Sequence, residues 1–403
     1  MGNTPNIRFK GFTDDWEQRK FGDVLVSLQN NTLSRADLSN ESGVAKNVHY
    51  GDVLIKFGEV LDVGKEQLPM ITDERVLSKY KASFLQNGDV IVADTAEDST
   101  VGKCSEIVGL NGDIVLSGLH TIPYRPVEKF ATGYLGYYLN SGAYHNQLIP
   151  LMQGIKVTSV SKSAMQDTDI VYPKSVKEQA MIGNCFQSLD HLITLHQRKC
   201  DETKKLKKFM LQKMFPKKDE KKPEIRFADF TDDWEQRKLG EFCNIVTGKL
   251  DANAMVEGGR YDFYTSGIQK YKIDTAAFEG PAITIAGNGA TVGYMHLADG
   301  LFNAYQRTYV LSDFSADRQY LYSEIGRELP KKIAAEARTG NIPYIVMNML
   351  TDLEISVPIA EEQQKIGKYF GQLDFLITLH QRKCDEIKEI KKFMLQNMFP
   401  QKG

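Results

Sequence analysis

The chain repeats the stretch EQAMIGNCFQSLDHLITLHQRKCDETKKLKKFMLQKMFP, residues Glu178–Pro216, as EQQKIGKYFGQLDFLITLHQRKCDEIKEIKKFMLQNMFP at Glu362–Pro400, an offset of 184 residues. A shorter stretch, IRFKGFTDDWEQRK at Ile7–Lys20, returns at Ile225–Lys238 with twelve of fourteen residues identical and an offset of 218. A repeat of this kind dictates architecture. We therefore predict two units, each ordered as a head segment, a divergent domain and a long helix.

The repeat also predicts where the segments begin and end. They are a head segment (1–20), a first divergent domain (21–175), a first long helix (176–216), a charged linker (217–224), a second head segment (225–238), a second divergent domain (239–359) and a second long helix (360–403). The two offsets differ by 34, so the first divergent domain is predicted to be longer by about that many residues. The linker KKDEKKP, Lys217–Pro223, is typical of a solvated connection rather than of a nucleic-acid tail.

Both divergent domains contain short runs of β-branched and aromatic residues that are broken by turn residues, such as Ala282–Ala286 and Arg307–Leu311. This pattern predicts a mixed α/β domain with a substantial sheet, and helical patterns occur at Tyr134–Asn140 and Arg318–Arg338. The domains are also faintly alike. Three matches are KYK at Lys79–Lys81 with Lys270–Lys272, Gly88 with Gly280, and TVG at Thr100–Gly102 with Thr291–Gly293.

The long helices carry apolar or small residues in alternating steps of four and three, the seam of a coiled coil. The seam consists of Ile182, Phe186, Leu189, Ile193, His196 and Cys200 in the first copy, and of Ile366, Phe370, Leu373, Ile377, His380 and Cys384 in the second. Helices this long have no core of their own, so we expect the two copies to pack on each other, antiparallel. The predicted fold class is α+β: two α/β domains joined by a long antiparallel two-helix coiled coil, with a pseudo-two-fold repeat.

The two His-Cys pairs of this seam allow two interpretations. Antiparallel pairing would bring His196, Cys200, His380 and Cys384 together, and two His with two Cys form a zinc-ligand set. The favoured alternative is a packed seam in which the histidines set the register, because a straight coil rarely supplies tetrahedral geometry.

Composition restricts the class of protein. At 403 residues the chain is long enough for two or three domains, it has no run of about 20 apolar residues that could span a membrane, and it begins with no apolar signal core. Its five cysteines are widely spaced and odd in number, which favours a reduced compartment. We therefore expect a cytoplasmic protein. The net charge of −2 is low for a protein that binds DNA, unless its 50 lysines and arginines are segregated or partners supply phosphate contacts.

The duplicated head with a WEQRK core (Trp16–Lys20, Trp234–Lys238) and the duplicated helix with EEQQKIG and LITLHQRK resemble the specificity subunit of type I restriction-modification systems. The likeness extends over essentially the whole chain. It implies that the divergent domains are target recognition domains, each reading one half of a split site in double-stranded DNA, while the constant segments form a spacer and bind two methyltransferase subunits, through which restriction subunits join. A glycine loop before each helix also fits, at Gln153–Lys156 and at Thr339–Ile342, although the second lacks the lysine of the first.

Base edges are distinguished by placed donors and acceptors, so we look for polar side chains in loops near the glycine turns. The DNA-binding candidates are Lys79, Lys81, Lys103, His120, Lys156 and Lys162 in the first domain, and Lys270, Lys272, Asn288, Thr291, Gln306, Arg307 and Arg338 in the second. For any single one of them a solvated surface role is favoured over a base contact. Trp16 and Trp234 are interpreted either as partner anchors or as core residues that cap a domain.

Two short motifs decide whether the chain itself could be an enzyme. Asn341–Tyr344, NIPY, is near the adenine-methyltransferase motif NPPY but has isoleucine at its second position, and Gly287–Gly293 lacks the Lys-Ser/Thr of a phosphate loop. We therefore expect no catalytic residue, metal or cofactor in this chain; the resemblance assigns S-adenosylmethionine, ATP and Mg²⁺ to partner subunits. The competing class is a tandem scaffold, with two protein- or glycan-binding domains on a coiled spine.

Overall fold

The structure is a computed structural model, and it describes residues 4–336 and 343–401. The chain divides into two compact units, which are described separately. Unit 1 comprises Met1–Leu195 with Lys383–Gly403, and unit 2 comprises His196–Arg382. The boundary falls inside both long helices, so each unit contains part of each helix.

Unit 1 begins with the first head segment and runs into the first long helix. Its elements are β1 (Glu17–Lys20), α1 (Phe21–Val24), β2 (Leu25–Ser27), β3 (Leu38–Ser39), β4 (Ala45–Val48), α2 (Tyr50–Ile55), β5 (Val60–Asp62), β6 (Met70–Ile71), α3 (Glu74–Tyr80), β7 (Val90–Ala93), β8 (Thr95–Ala96), β9 (Cys104–Val108), β10 (Val115–Ser117), β11 (Thr121–Pro126), α4 (Tyr134–Asn140), α5 (Gly142–His145), β12 (Thr158–Ser159), α6 (Lys162–Gln166), β13 (Asp169–Tyr172) and α7 (Val176–Lys213), which continues into unit 2.

Unit 2 repeats this order with fewer elements. They are β14 (Glu235–Lys238), β15 (Asn244–Thr247), β16 (Tyr261–Tyr264), β17 (Lys270–Ile273), β18 (Phe278–Glu279), β19 (Ala282–Ala286), β20 (Met295–Ala298), β21 (Leu301–Ala304), β22 (Thr308–Ser312), α8 (Arg318–Glu336), α9 (Met347–Thr351), β23 (Glu354–Val357) and α10 (Ala360–Asn397), which continues into unit 1.

Each divergent domain contains two main sheets. In unit 1 they are β2-β11-β7-β9-β5 and β10-β4-β6-β3, and in unit 2 they are β15-β22-β19-β20 and β17-β16-β21-β18. The strand order of the first sheet matches between the units, whereas in the second sheet the fourth strand lies at opposite edges, β3 beside β6 and β18 beside β21. The largest single part of the extra length of unit 1 lies between β4 and β6, where α2 and β5 intervene, whereas a short turn joins β16 to β17. The added strand β5 pairs parallel with β9 and extends the first sheet.

The pairing tests the faint sequence matches between the domains. Gly102 and Gly293 correspond, because their N–H groups donate to the carbonyls of Ala93 and Ala286, the last residues of β7 and β19. The match of the two KYK stretches is wrong: Lys79 lies on helix α3, whereas Lys270 and Lys272 lie on strand β17. Three like residues in sequence were too short a signal to distinguish a helix end from a strand.

Each head segment closes its unit. Strand β1 pairs antiparallel with β13, and β14 pairs with β23 in the same register, so that Gln18 faces Val171 and Gln236 faces Ser356. The tryptophan before each strand is 2 % exposed and packs among aromatic rings. Of the two interpretations of these tryptophans, the core residue is therefore the one observed.

The long helices pack antiparallel in both units. In unit 1 the ring of Phe186, near the start of α7, stacks on Phe399 just beyond the end of α10, with centroids 5.8 Å apart. In unit 2 Phe370, near the start of α10, lies 5.7 Å from Phe215 just beyond the end of α7. The predicted fold class is confirmed.

The seam residues are buried to different degrees along the helices. Buried are Ile182, Phe186, Cys200, Ile366, Phe370, Leu373 and Cys384, and half-buried are Leu189, Ile193, His196, Ile377 and His380. The Nδ1 atoms of His196 and His380 lie 3.0 Å apart, and the Cys200 sulfur lies beside the Ile377 carbonyl. Among the described residues no three His, Cys, Asp or Glu side chains are grouped as a metal site.

None of the helices in the described part of the chain combines the length and apolar character that a membrane span requires.

Candidate nucleic-acid interface

In unit 2 three loops meet at the carboxyl ends of strands. Strands β16 and β21 are parallel neighbours, and the loops that follow them are joined by a hydrogen bond from Tyr305 N–H to the Tyr264 carbonyl, 2.9 Å. The loop after β19 joins them, because Gly287 N–H donates to the Arg307 carbonyl, 2.8 Å. A cluster of loops at strand ends presents side chains whose backbone is fixed by the sheets.

Ser266 organises this cluster. Its hydroxyl donates to Oδ1 of Asn288, 2.8 Å, and its carbonyl accepts a short hydrogen bond from the Thr291 hydroxyl. Tyr344 forms a β-bridge with Asn288, and the next residue, Ile345, donates its N–H to the Gly287 carbonyl. The structure thus brings together Asn288 and Thr291, two of the residues chosen from sequence.

Gln306 and Arg307 complete the same cluster. Gln306 N–H donates to the Leu250 carbonyl, 2.8 Å, and both side chains are exposed. Arg338, also chosen from sequence, lies outside the described residues.

Unit 1 has the same arrangement of backbone. Strands β4 and β10 are parallel, and Gly118 N–H donates to the Val48 carbonyl, 2.9 Å. Asp94 N–H donates to the His120 carbonyl, 3.2 Å, and Val160 N–H donates to the Asp94 carbonyl, 2.9 Å. These three hydrogen bonds match those of Tyr305, Gly287 and Ile345 one for one.

The match assigns structural counterparts across the two clusters. His120 corresponds to Arg307, Tyr50 to Ser266, and Thr95 to Asn288. The His120 ring lies edge-on to Tyr50 with centroids 5.2 Å apart, and its Nδ1 is 3.6 Å from a carboxylate oxygen of Asp94. The backbone is thus repeated while the side chains it displays are different.

The lysines chosen in unit 1 are dispersed. Lys162 reaches the Leu28 carbonyl at 3.5 Å and Lys156 is exposed near the tip of the turn between Gln153 and Ser159, so both adjoin the loop cluster. Lys103 is half-buried: its ammonium donates to the Leu54 carbonyl, 2.7 Å, and burial lowers its pKa. The other two, Lys79 and Lys81, lie on α3 and the turn after it, and Lys79 contacts the Tyr80 ring.

The two strand lysines of unit 2 share one carboxylate. Lys270 and Lys272 lie 3.2 and 2.8 Å from the two oxygens of Asp262. Burial alone would raise the pKa of Asp262, but the hydrogen bonds from the two lysines outweigh it and lower that pKa. A phosphate that binds here has to compete with Asp262, which weakens both lysines as DNA contacts.

The sequence reading missed Tyr50, Asp94, Ser266 and Tyr344, which the structure places in the clusters. None is basic. Tyr50, Asp94 and Ser266 share a positional signal, because each lies within a few residues of a strand end, whereas Tyr344 is remote from the strands in sequence and joins its cluster through the β-bridge to Asn288. Position at a strand end identifies a site only when it is known which strands are parallel neighbours, and the sequence does not give this pairing.

Comparisons with known proteins identify relatives of this chain. The family model described as "Type I restriction modification DNA specificity domain" matches residues 13–205 and 231–389. The chain is 34 % identical over 160 residues to the Escherichia coli type I restriction enzyme EcoDI specificity subunit; this alignment covers 40 % of the chain but only 35 % of that relative. It is 22 % identical to the putative MjaX specificity subunit of Methanocaldococcus jannaschii, over 94 % of the chain and 91 % of the relative.

A solved structure shares the fold. The S subunit of a type I restriction-modification system from M. genitalium superposes with a TM-score of 0.69 at 14 % identity, covering 99 % of this chain and all of that one. Because the family model matches both units and most of the chain, this protein belongs to the type I restriction-modification DNA specificity family.

Proposed function

We propose that this chain is the non-catalytic subunit that selects DNA sequence for a type I restriction-modification complex, and that each unit reads one half of a bipartite site. The observation that carries the proposal is the pair of loop clusters, which share a backbone arrangement and differ in side chains. A repeated frame suits one kind of ligand, duplex DNA, while different side chains suit different base sequences.

The weak net charge is compatible with this function if partner subunits supply many of the phosphate contacts. The chain would act in the cytoplasm beside two methyltransferase subunits, with restriction subunits attached through them. One methyltransferase subunit would bind to each constant frame, by which we mean the head segment and the long helix of one repeat. S-adenosylmethionine, ATP and Mg²⁺ would be held by those partners.

Exchange of one recognition domain tests the half-site proposal. Residues 239–358 are replaced by the matching region of a relative, the chimera is expressed with the methyltransferase subunit of the same system, and host DNA methylation is sequenced. We expect one half of the methylated site to change and the other half to persist. A site that changes throughout, or that does not change, would contradict the proposal.

The number of partners has its own test, because the constant frames are nearly identical. Native mass spectrometry should find two methyltransferase subunits for each copy of this chain. A complex that saturates with a single methyltransferase subunit would show that the two frames do not act as equivalent docking sites.

We also propose that the paired helices set the unread gap between the half-sites. Each helix has 38 residues, which corresponds to about 57 Å, more than one turn of the duplex. One heptad added to each helix, between Cys200 and Met210 and between Cys384 and Met394, preserves the seam and adds about 10 Å. The gap should then grow by about three base pairs with both half-sites intact. Methylated DNA with the original gap would exclude this role.

A further inference from the structure

Arg307 stands out in the loop cluster of unit 2 because its backbone is fixed while its side chain is exposed. Its carbonyl accepts a hydrogen bond from Gly287 N–H at 2.8 Å, and the Ser266 hydroxyl oxygen lies 3.4 Å from the same carbonyl oxygen. The residues on both sides are also held: Gln306 N–H bonds to the Leu250 carbonyl and Thr308 begins strand β22. A specific contact requires a side chain whose backbone is held rigidly, and Arg307 meets this requirement.

Glycine at position 287 is needed for this close approach. A Cβ atom there would lie 2.3 Å from the Arg307 carbonyl oxygen and 3.0 Å from the Tyr309 ring. Any larger residue would push the loop that carries Arg307 out of place.

The charge environment of Arg307 differs from that of the two strand lysines of this domain. Lys270 and Lys272 share the single carboxylate of Asp262, whereas the Arg307 guanidinium has no hydrogen bond or ion pair with a residue in the described ranges. Its neighbour Asn288 accepts the Ser266 hydroxyl through Oδ1, which leaves the amide N–H groups of Asn288 as donors. This part of the surface therefore presents hydrogen-bond donors and can bind a ligand that presents acceptors.

A base edge that offers two acceptors side by side is found on guanine, whose O6 and N7 line the major groove and match the planar fork of arginine. Building on the proposed function, we propose that Arg307 is a specificity-determining residue that reads one guanine in the half-site of unit 2. His120 holds the matching position in unit 1. Its shorter ring, placed beside Asp94 and Tyr50, forms no such fork, so it reads one position of the other half-site by a different contact.

The test uses the complex of this chain with its methyltransferase subunits. Methylome sequencing of the unaltered complex defines the bipartite site. Binding is then measured by fluorescence anisotropy, at several fixed salt concentrations, to duplexes that carry each single base change. The variants are Arg307→Ala, Arg307→Lys and His120→Ala, and Arg260→Ala is the matched control because Arg260 is exposed in the same unit but stacks on Tyr261.

We expect the unaltered complex to discriminate about 5- to 150-fold against replacement of one guanine in the half-site of unit 2. Arg307→Ala should remove that discrimination at that position only, and Arg307→Lys should restore part of it. His120→Ala should relax one position of the other half-site, while Arg260→Ala leaves all positions strict. Fluorescence of Trp16 in unit 1 and of Trp234 in unit 2, both buried, verifies that each variant of the chain is folded.

Two outcomes would overturn the proposal for Arg307. One is a uniform loss of affinity for all duplexes with a salt slope reduced by about one, which identifies a phosphate contact. The other is strict recognition of every position by Arg307→Ala. In both cases the bipartite site remains, so the proposed function stands. Absence of any bipartite methylated site in the unaltered complex would instead refute the proposed function itself.

Discussion

Units 1 and 2 are alike where the constant segments meet and different where the divergent domains fill the interior. Arg8 makes two hydrogen bonds to Glu178, at 2.7 and 3.0 Å, and Arg226 makes the same two to Glu362, at 2.8 and 2.7 Å. These pairs fix each head segment to the start of a long helix. The frame is thus repeated down to single hydrogen bonds.

Inside the two units, equivalent backbone N–H groups donate to different side chains. The N–H of Val171 in unit 1 donates to the hydroxyl of Tyr138, whereas the N–H of its counterpart Ser356 in unit 2 donates to the buried carboxylate of Glu324. A domain can therefore diverge while it presents the same attachment to its frame. Under the proposed function, this allows the DNA target of the subunit to change while its partners stay the same.

Each unit contains one of the two tryptophans, Trp16 in unit 1 and Trp234 in unit 2, both 2 % exposed. In a Trp234→Phe background fluorescence reports on unit 1, and in a Trp16→Phe background it reports on unit 2. Urea unfolding of these two reference proteins makes the comparison measurable.

The largest expected effect concerns the shared frame. Glu178→Ala and Glu362→Ala each leave a mostly buried arginine without its carboxylate, so each should lower the free energy of unfolding of its unit by about 3–5 kcal/mol. The two losses should agree within about 1 kcal/mol, since the geometries match. Arg75→Ala, which breaks an exposed pair with Asp73, is the control and should leave the urea midpoint unchanged. Clearly unequal losses would show that the frames are not equivalent.

The second-largest expected effect is a pH dependence of stability that arises from a buried carboxyl in the interior of unit 1. Glu106 is buried in unit 1 and accepts the N–H groups of Gly133 and Gly136, while Leu297 holds the equivalent strand position in unit 2. Burial raises the pKa of Glu106 from 4.5 to about 7, although those N–H groups act in the opposite direction. Between these pH values the folded state holds the proton that the unfolded chain has lost, so the stability of unit 1 should fall as pH rises.

The contribution of Glu106 should reach up to about 1.4 kcal/mol per pH unit and about 3 kcal/mol in total, levelling off above pH 7. Urea unfolding of the unit 1 reporter at pH 4.5 to 8 measures this slope. Glu106→Gln should flatten it, and Leu297→Met at the equivalent position of unit 2 serves as a control that introduces no titrating group. An unchanged slope in Glu106→Gln would mean that this carboxyl does not set the pH response.

The frame could be predicted from sequence because its signals are local and repeated. The heptad seam around Phe186 and Phe370 and the identical head strands need no knowledge of the sheets. The loop clusters could not be predicted in the same way. His120 and Arg307 were chosen as polar residues near glycine turns, but their correspondence follows only from the parallel pairing of β4 with β10 and of β16 with β21. Pairing between strands distant in sequence has no local signature.

The smallest expected effect lies in the coil, at the pair His196 and His380 of unit 2. Their Nδ1 atoms are 3.0 Å apart, so the hydrogen bond needs one N–H and one bare nitrogen and is lost when both rings are protonated. Partial burial lowers the pKa of His380 below its ordinary value of 6.5, and repulsion from His196 and Lys199 adds to this.

Because the unfolded chain then binds more protons than the folded one below pH 6.5, the stability of unit 2 should fall as pH drops from 7 to 5. This is opposite in sign to the response of unit 1 through Glu106. The effect should be small, since the rings are only half-buried and water can replace the lost bond. His380→Gln retains an acceptor and a donor but cannot titrate, so the unit 2 reporter should lose part of its acid sensitivity. If the variant and the reference unfold with the same dependence on acid, the histidines are packed residues whose charge state does not matter. The opposite pH responses of the two units would then have to arise from the divergent domains alone.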